Sequence, residues 1–229
     1  METQYTVISS EKRARFATVF ILISVCITVL MGLVGSLGVL IRQGTFFAVD
    51  QNVINVYIAV SGFVVLAFVM MILASAITFI MWFWKAYGNL QELGCWTLSA
   101  RGWTIGCWFI PIANLYLPYM FMREMFDGVN DLLKDRNELN VKWASTRLVL
   151  SWWILSAMMV VLNQFTRQLD LYFLNNHGMY LLVLIVTIGF TVVSGILAVR
   201  MIRSYVEAEK ELIALSQERD IAETDQLFI

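Results

Sequence analysis

The residues best suited to chemistry lie together near the middle of the chain, where amides, cations and both prolines occur among aromatic side chains. Pro111 and Pro118 each remove a backbone donor, so a helix through Trp103–Phe121 must kink or break. At membrane depth, the carbonyls left without partners must be met by protein groups or water. The amide of Asn114, between the prolines, can both donate and accept hydrogen bonds. We name residues 103–121 the proline segment and expect Asn89 and Asn114 to join it to the preceding helix.

Several side chains around the proline segment could contact a ligand at the edge of a membrane. Cations attract anionic headgroups, and the candidates are Lys85, Arg101 and Arg123. Irregular backbone at membrane depth also occurs where it lines a cavity or a substrate site. The other candidate contacts are Asn89, Trp108, Pro111, Asn114, Pro118 and Glu124. The alternative is a purely structural role, in which asparagine and tryptophan side chains brace a kinked helix.

The sequence gives little indication of a metal site, a disulfide, a catalytic motif or a nucleic-acid-binding surface. His177 is the single histidine, and Cys26, Cys95 and Cys107 show no CxxC spacing, so we expect neither a metal site nor a disulfide. The sequence contains no HExxH, no GxSxG and no phosphate-binding glycine loop. A net charge of −1 provides no basic field for nucleic acid. We therefore expect a protein that is not an enzyme, holds no cofactor and does not bind nucleic acid.

The elements that must position these residues are strongly apolar. Of 229 residues, 59% are hydrophobic and 14% are charged, whereas an average soluble domain is roughly 45–50% apolar and about 25% charged. A membrane helix needs about 20 apolar residues in succession. Five stretches are free of Asp, Glu, Lys and Arg, namely Phe16–Ile41, Gln51–Trp84, Gly102–Met122, Leu148–Thr166 and Leu171–Val199. The composition predicts a polytopic helical membrane protein.

The distribution of Lys and Arg decides between two topologies, because these residues collect in cytoplasmic loops and tails. If the proline segment re-enters without crossing, fourteen of the 16 cations lie inside, and only Arg42 and Arg167 lie outside. Five true crossings with a cytoplasmic N-terminus would instead place most cations outside. The count predicts an all-α protein with four transmembrane helices, a proline-broken re-entrant or interfacial segment, and both termini in the cytoplasm. The predicted spans are about 16–41, 55–84, 147–166 and 179–201.

The segments around the spans are short. Residues 16–201 are predicted to form one membrane domain, between an N-terminal tail at 1–15 and a C-terminal helix or tail at 202–229. Within about 122–136, apolar residues recur at helical spacing with charged residues on the other face. This pattern predicts an amphipathic helix that lies along the cytoplasmic membrane surface.

Small residues within the spans predict close approach of helices, since they let backbones come together. The candidates for this packing are Gly32, Ser36, Thr187, Thr191 and Gly195. The alternative is a polar pathway lined by the hydroxyls of the last span. Serine and threonine hydroxyls can bond to carbonyls of their own helix, which favours packing.

A long pattern runs from the end of the second apolar stretch to the end of the third. It is W-x-[RK]-A-x-x-N-L-x-x-L-G, then W-x-x-G-x-W-F-I-P-x-x-N-L-x-x-P-Y and a basic–acidic pair. The residues that carry it are Trp84, Ala86, Asn89, Leu90, Leu93, Gly94, Trp103, Gly106, Trp108, Phe109, Ile110, Pro111, Asn114, Leu115, Pro118, Tyr119, Arg123 and Glu124, followed later by the pair Trp152 and Trp153. In these residues the sequence resembles the DUF4328 family of bacterial multi-pass membrane proteins. Lys85 stands where the family more often has arginine, and a lysine cannot make the same bidentate contact. The resemblance implies the bacterial inner membrane and carries no established activity.

Three functions remain as hypotheses. The first is a non-enzymatic integral membrane protein that binds a lipid headgroup or small ligand at the cytoplasmic interface. The second is an adaptor or assembly subunit, which would dock a protein partner through its cytoplasmic helices. The third, a passive channel or transporter, is the weakest because the uncharged stretches that form the interior of the spans offer no charged residue for a polar route. Membrane lipids are the expected partners, together with a protein partner or a second copy of the chain.

Overall fold

A computed structural model describes residues 7–42, 50–95, 98–136, 143–173 and 177–227, and all regular structure in these ranges is helical. The helices are α1 (Glu11–Arg42), α2 (Gln51–Glu92), α3 (Trp103–Gly106), α4 (Leu117–Asp135), α5 (Thr146–Phe173) and α6 (His177–Leu227), with a 3-10 turn at Ala113–Leu115. The all-α prediction is confirmed. Of the predicted N-terminal tail, residues 1–6 lie outside the described ranges, and α1 begins within that tail.

Three helices are long and apolar enough to cross a membrane, within Glu11–Ile41, Gln51–Glu92 and Leu181–Arg219. A shorter apolar stretch, Thr146–Leu162, forms the first part of α5. These helices exceed the length that the hydrocarbon requires: α2 has 42 residues, or about 63 Å at 1.5 Å per residue, against a hydrocarbon core of about 30 Å. Part of each long helix is therefore available for packing outside the hydrocarbon.

The chain divides into two compact units. We name the first the packed unit; it consists of Met1–Thr18, Ile77–Ser151 and Ala198–Ile229. The second, the span unit, consists of Val19–Ala76 and Trp152–Leu197. Nearly all buried apolar side chains of the described residues belong to the packed unit, as do fourteen of the 16 Lys and Arg residues of the sequence.

The core of the packed unit is aromatic. The rings of Phe126 and Tyr205 lie 5.3 Å apart, and Trp82 meets Tyr205 edge to face at 6.0 Å, separations that are favourable for aromatic pairs. Helix α4 is amphipathic, as predicted, and its apolar face is buried against protein. The aromatic core of the packed unit covers this apolar face, and the position of the helix along the membrane surface stays a prediction.

A glycine ends α2 inside the packed unit. Gly94 has a φ of 95°, in the left-handed region that only glycine adopts without strain. The amide of Cys95 donates to the carbonyl of Leu90 at 3.1 Å, and the amide of Gly94 donates to the carbonyl of Gln91 at 3.1 Å. This pair of bonds is the Schellman termination of a helix. It turns the chain back towards the proline segment.

A single asparagine aligns the start of α5 with α4. The side-chain amide of Asn130 donates to the carbonyl of Ala144 at 2.9 Å, and its oxygen accepts from the amide of Ala144 at 2.8 Å. A second contact joins the same two helices: the hydroxyl of Thr146, at the start of α5, donates to Asp127 Oδ1 on α4 at 3.0 Å. These bonds satisfy backbone groups ahead of the first turn of α5, where a helix leaves its amides without partners.

In the span unit, the described buried residues are Gly32, Gly38, Val64 and Gly195. A Cβ at Gly195 would lie 2.6 Å from Cγ2 of Val25, and one at Gly32 would lie 2.8 Å from Cδ1 of Ile188. Helices α1 and α6 thus approach closely and antiparallel at these glycines. Hydroxyls bond to their own helices instead: Ser36 donates to Gly32 and Thr191 to Thr187, both at 2.8 Å.

Candidate functional site

The last turns of α2 present one face to α6. Trp82, Ala86 and Asn89 recur at helical spacing on this face and are fully buried. The hydroxyl of Tyr205, on α6, donates to the carbonyl of Ala86 at 3.2 Å. Because the second lone pair of a helix carbonyl remains free to accept, this bond joins the two helices without disturbing α2.

A buried carboxylate lies one turn beyond Tyr205. Glu209 is 1% exposed, and its Oε1 accepts from Nδ2 of Asn89 at 2.8 Å. Its Oε2 accepts from the amide and hydroxyl of Ser10 at 2.9 and 2.7 Å, and from the hydroxyl of Ser9 at 3.3 Å. Asn89 also donates to the carbonyl of Ile8 at 2.9 Å. Glu209 and Asn89 therefore tie the segment before α1 to α2 and α6.

The predicted role of Asn89 differs from its position in the structure. Its amide nitrogen is occupied by Ile8 and Glu209, so it does not join the proline segment to α2 through Asn114. The backbone amide of Asn114 donates to the carbonyl of Ile110 within the segment, at 2.8 Å. We leave Asn89 out of the candidate ligand contacts because it is 0% exposed.

Arg101 makes the link to α2 that we expected of the asparagines. Its Nε donates to the carbonyl of Trp84 at 3.1 Å, and its Cζ lies 3.5 Å from the centroid of the Trp84 ring. A second guanidinium, Arg13, lies with its Cζ 5.9 Å from the same centroid and donates to the carbonyl of Met81 at 3.3 Å. We name Arg13, Trp84 and Arg101 the arginine–indole cluster. Cation–π attraction to an indole stabilises such stacking.

The cluster depends on a glycine and carries excess positive charge. A Cβ at Gly88 would overlap the guanidinium of Arg101. The absence of a side chain at Gly88 therefore leaves the space that this guanidinium occupies. The nearest carboxylate to Arg101 is that of Glu92, whose Oε1 lies 3.9 Å from Nη1 and whose side chain is 47% exposed. Burial lowers the pKa of Arg101; Glu92 opposes this effect and the like charge of Arg13 adds to it. The arginine remains charged, because the pKa of a guanidinium lies far above neutral pH.

The proline segment is broken and apolar on its outside. Helix α3 ends at Gly106, and after turns and a 3-10 turn α4 begins at Leu117, with Pro118 in its first turn, where a missing amide costs nothing. Phe109 is 76% and Ile112 is 84% exposed. The other exposed apolar side chains of the segment are Trp103, Ile105, Ile110, Leu115 and Tyr116. Exposed apolar side chains in such number are typical of surfaces that contact a membrane or another protein.

Much of the irregular backbone is satisfied within the proline segment itself. The amides of Cys107, Trp108 and Phe109 donate to carbonyls three or four residues earlier, as do those of Asn114 and Tyr116. The indole Nε1 of Trp108 donates to the carbonyl of Thr104 at 3.0 Å, and its ring meets Phe79 edge to face at 6.0 Å. Trp108 thus braces the segment against α2.

The basic–acidic pair on α4 takes part in two separate contacts. Glu124 accepts from the hydroxyl of Tyr87 at 3.0 Å and from that of Ser99 at 3.4 Å, which joins α4 to α2 and to the chain before α3. Arg123 pairs with Asp127 on the same helix at 3.3 Å. The neighbouring negative charge of Asp127 raises the pKa of Arg123. Neither side chain joins the arginine–indole cluster.

The remaining predicted contacts lie at different depths. Lys85, which follows Trp84, is half-buried and has no ion pair within the part of the chain that the structure describes. Pro111 is exposed, whereas Pro118 is buried in the first turn of α4. Among the described residues, no three His, Cys, Asp or Glu side chains come together as metal ligands. The structure therefore retains Lys85 and Arg101 as the candidate cations and adds Arg13.

The contacts of two residues in this region, Arg13 and Glu209, were not predicted from the sequence. Arg13 lies in a tail whose cations have an obvious topological role, and nothing in its spacing relates it to Trp84. Glu209 could have been found, because it falls between the apolar positions Val206 and Ile213 at helical spacing. A carboxylate on the apolar face of a helix indicates a buried, hydrogen-bonded group.

A family model described as a domain of unknown function, DUF4328, matches residues 47–207. This range covers most of the chain and includes Trp84, Asn89 and Arg101, while Arg13 and Glu209 lie outside it. No curated protein and no solved structure matches the chain. The match over this range shows that the chain belongs to the DUF4328 family.

Proposed function

We propose that this protein binds the anionic headgroup of a lipid, or a similar small anion, at the cytoplasmic face of the membrane. In this proposal it is not an enzyme, and four spans anchor it: α1, α2, α5 and α6. The arginine–indole cluster provides the anion contacts. The single observation that carries the proposal is that two guanidinium groups share one indole, with a half-exposed carboxylate 3.9 Å from one of them.

The orientation is supported by the charges of the packed unit. It contains fourteen of the 16 Lys and Arg residues, and cationic segments remain on the cytoplasmic side. The described residues nearest to both ends of the chain, 7–18 and 198–227, belong to this unit. Anionic lipids are enriched in the cytoplasmic leaflet and attract basic groups close to the surface, so the proposed site and its ligand would lie on the same side.

The proline segment would enter the membrane from the same side as a re-entrant element. Its exposed apolar side chains match hydrocarbon, and many of its amides are bonded within the segment. Lipid-exposed irregular backbone is otherwise excluded from hydrocarbon because its polar groups have no partner there. Re-entry would therefore be shallow, with Arg101 preceding the segment at headgroup level.

Loss of Arg101 is the test of anion binding. Purified protein in a nonionic detergent would be titrated with phosphatidylglycerol and with phosphatidylcholine, and bound lipid would be counted by native mass spectrometry. We expect preferential retention of phosphatidylglycerol, and an affinity about tenfold lower in Arg101→Gln, because a charge-assisted bond is lost. Arg15→Gln is the control, since Arg15 is on α1 near Arg13 but pairs with Glu11. Equal retention of the two lipids by the wild type would contradict the proposal.

The topology has its own test. A reporter fused after Arg136, the residue that follows α4, should show the activity of a cytoplasmic location, because four spans place this loop on the same side as both termini. A fusion after Asp50, at the start of α2, is the matched outside control. An outside result for the first fusion would show that the proline segment crosses the membrane.

An adaptor function is the second candidate, favoured by the far end of α6. Helix α6 continues to Leu227, and Ile221 is exposed there. Removal of residues from Glu207 onward cannot test this idea, because it would delete the buried Glu209, Leu212 and Ile213. Truncation after Ser216 keeps that core. Loss of a copurifying protein from this variant, with lipid retention unchanged, would support the adaptor.

A further inference from the structure

We infer that the arginine–indole cluster selects a phosphate monoester, a group with three terminal oxygens, over a phosphodiester. This inference rests on the proposed function and specifies the chemical class of the anion. It follows from the donors that the two guanidinium groups leave free and from the charge around them.

Two contacts with Trp84 fix the guanidinium of Arg101, one through its Nε and one through the face of the group. Its Nε is bonded to the carbonyl of Trp84, and its plane lies over the indole. Its terminal nitrogens have no hydrogen bond among the described residues, and Glu92 is 3.9 Å from Nη1, beyond hydrogen-bonding distance. The terminal edge of a guanidinium in a fixed orientation binds two oxygens of one phosphate.

Arg13 supplies a second set of donors on the same indole. Only its Nη1 is bonded among the described residues, to the carbonyl of Met81 at 3.3 Å. The nearby carboxylate of Glu11 is taken up by Arg15 and by Lys210, both at 2.7 Å. Among the described residues, the ion pair of the cluster is that of Arg101 with Glu92, at 3.9 Å.

These donors match the oxygens of a monoester. A phosphate monoester carries about −1.5 to −2 charges at neutral pH and three strong acceptor oxygens. Two oxygens can bind the terminal edge of Arg101, which leaves the third for Arg13. A phosphodiester has one charge, which the contact with Arg101 already neutralises, so a further contact with Arg13 stabilises it less than it stabilises a monoester. The second arginine is thus the residue that discriminates.

The same chemistry occurs in a lipid and in a soluble molecule. Phosphatidate carries a monoester as its headgroup, and glycerol 3-phosphate carries the same group without acyl chains. Phosphatidylglycerol with identical acyl chains is the matched phosphodiester. Competition by glycerol 3-phosphate therefore separates a soluble ligand from a lipid, without changing the class of anion.

The experiment compares full-length wild type with Arg13→Gln and Arg15→Gln by native mass spectrometry with the three compounds. We expect the wild type to bind phosphatidate about tenfold more tightly than phosphatidylglycerol. Arg13→Gln should lose this preference and keep its affinity for phosphatidylglycerol, because Arg101 remains. Arg15→Gln removes the same charge two residues away, from a side chain that is 77% exposed, and should behave as the wild type. Thermal unfolding of each variant shows whether the packed unit is intact.

Each result has a distinct meaning. Equal affinity for the two anionic lipids, with both lost in Arg101→Gln, would overturn the monoester inference and leave anion binding in place. No preference for either anionic lipid over phosphatidylcholine would overturn the proposed function as well. Equal effects of Arg13→Gln and Arg15→Gln would overturn the role of the cluster, since they would indicate general attraction by charge. Displacement of phosphatidate by glycerol 3-phosphate would support the inference with a soluble ligand.

Discussion

Replacement of Glu209 by alanine is expected to lower the free energy of unfolding of the packed unit by about 3 kcal/mol or more. The change leaves the amide of Asn89 and the amide and hydroxyl of Ser10 buried without their acceptor. Each buried donor without a partner costs about 1–3 kcal/mol. Glu209→Gln should be intermediate, because one oxygen can still accept from Asn89 while the new amide faces the donors of Ser10.

Thiol labelling measures this effect directly. Cys95 is buried in the packed unit, as is Cys107, so their reaction with a maleimide reports opening of the unit. A Cys26→Ser background removes the exposed thiol. Glu218→Ala, at an exposed position of α6, is the control for the loss of a carboxylate. Labelling of Glu209→Ala at the rate of that control would show that the buried carboxylate does not hold the unit together.

Gly195→Leu is expected to separate α1 from α6 in the span unit. Even a Cβ at this position would lie 2.6 Å from Val25, so a leucine must push the helices apart. Overpacking in a well-packed interior costs about 1–3 kcal/mol, occasionally more, and close contacts at glycines drive helix association in membranes. We expect a clear fall in the midpoint of thermal unfolding in detergent.

Gly189→Leu is the matched control for this substitution. Gly189 lies on the same helix, and a Cβ there would meet nothing within 4 Å. Both variants replace one glycine of α6 by leucine, so they have the same amino-acid composition and similar helix propensity. They differ in whether the new side chain meets a neighbouring helix. If both unfold at the same temperature, the close approach of the helices at Gly195 does not contribute to stability.

The helices and their breaks could be predicted because they depend on local properties. Long uncharged runs predict α1, α2 and α6, and two prolines seven residues apart predict that Trp103–Phe121 is not one helix. Gly32 and Gly195 were also identified from sequence, since their spacing reflects the period of a helix. The partner of each glycine was not, because the sequence does not state which helices are neighbours.

The site could be predicted only in part, for the same reason. Arg101 was chosen for its charge, but its stacking on Trp84 depends on a chain reversal at Gly94 and on the space left at Gly88. Asn89 was expected to help join the proline segment to α2, whereas its side chain binds Glu209, 120 residues away. Polar pairs of this kind are set by tertiary packing, which neither propensity nor periodicity describes.

The bond between Ser10 and Glu209 also determines when the packed unit can be completed during translation. The two residues are 199 positions apart, and a ribosome that adds about 5–20 residues per second needs about 10–40 s to make the chain between them. During that interval Asn89 and the chain before α1 have been synthesised, while the carboxylate that they bind does not yet exist. Until Glu209 is synthesised, the donors of Asn89 and Ser10 therefore lack the acceptor that they bind in the folded protein. A pause or premature stop before Glu209 would leave a membrane-inserted chain whose packed unit is incomplete, and cellular quality control could recognise such a chain.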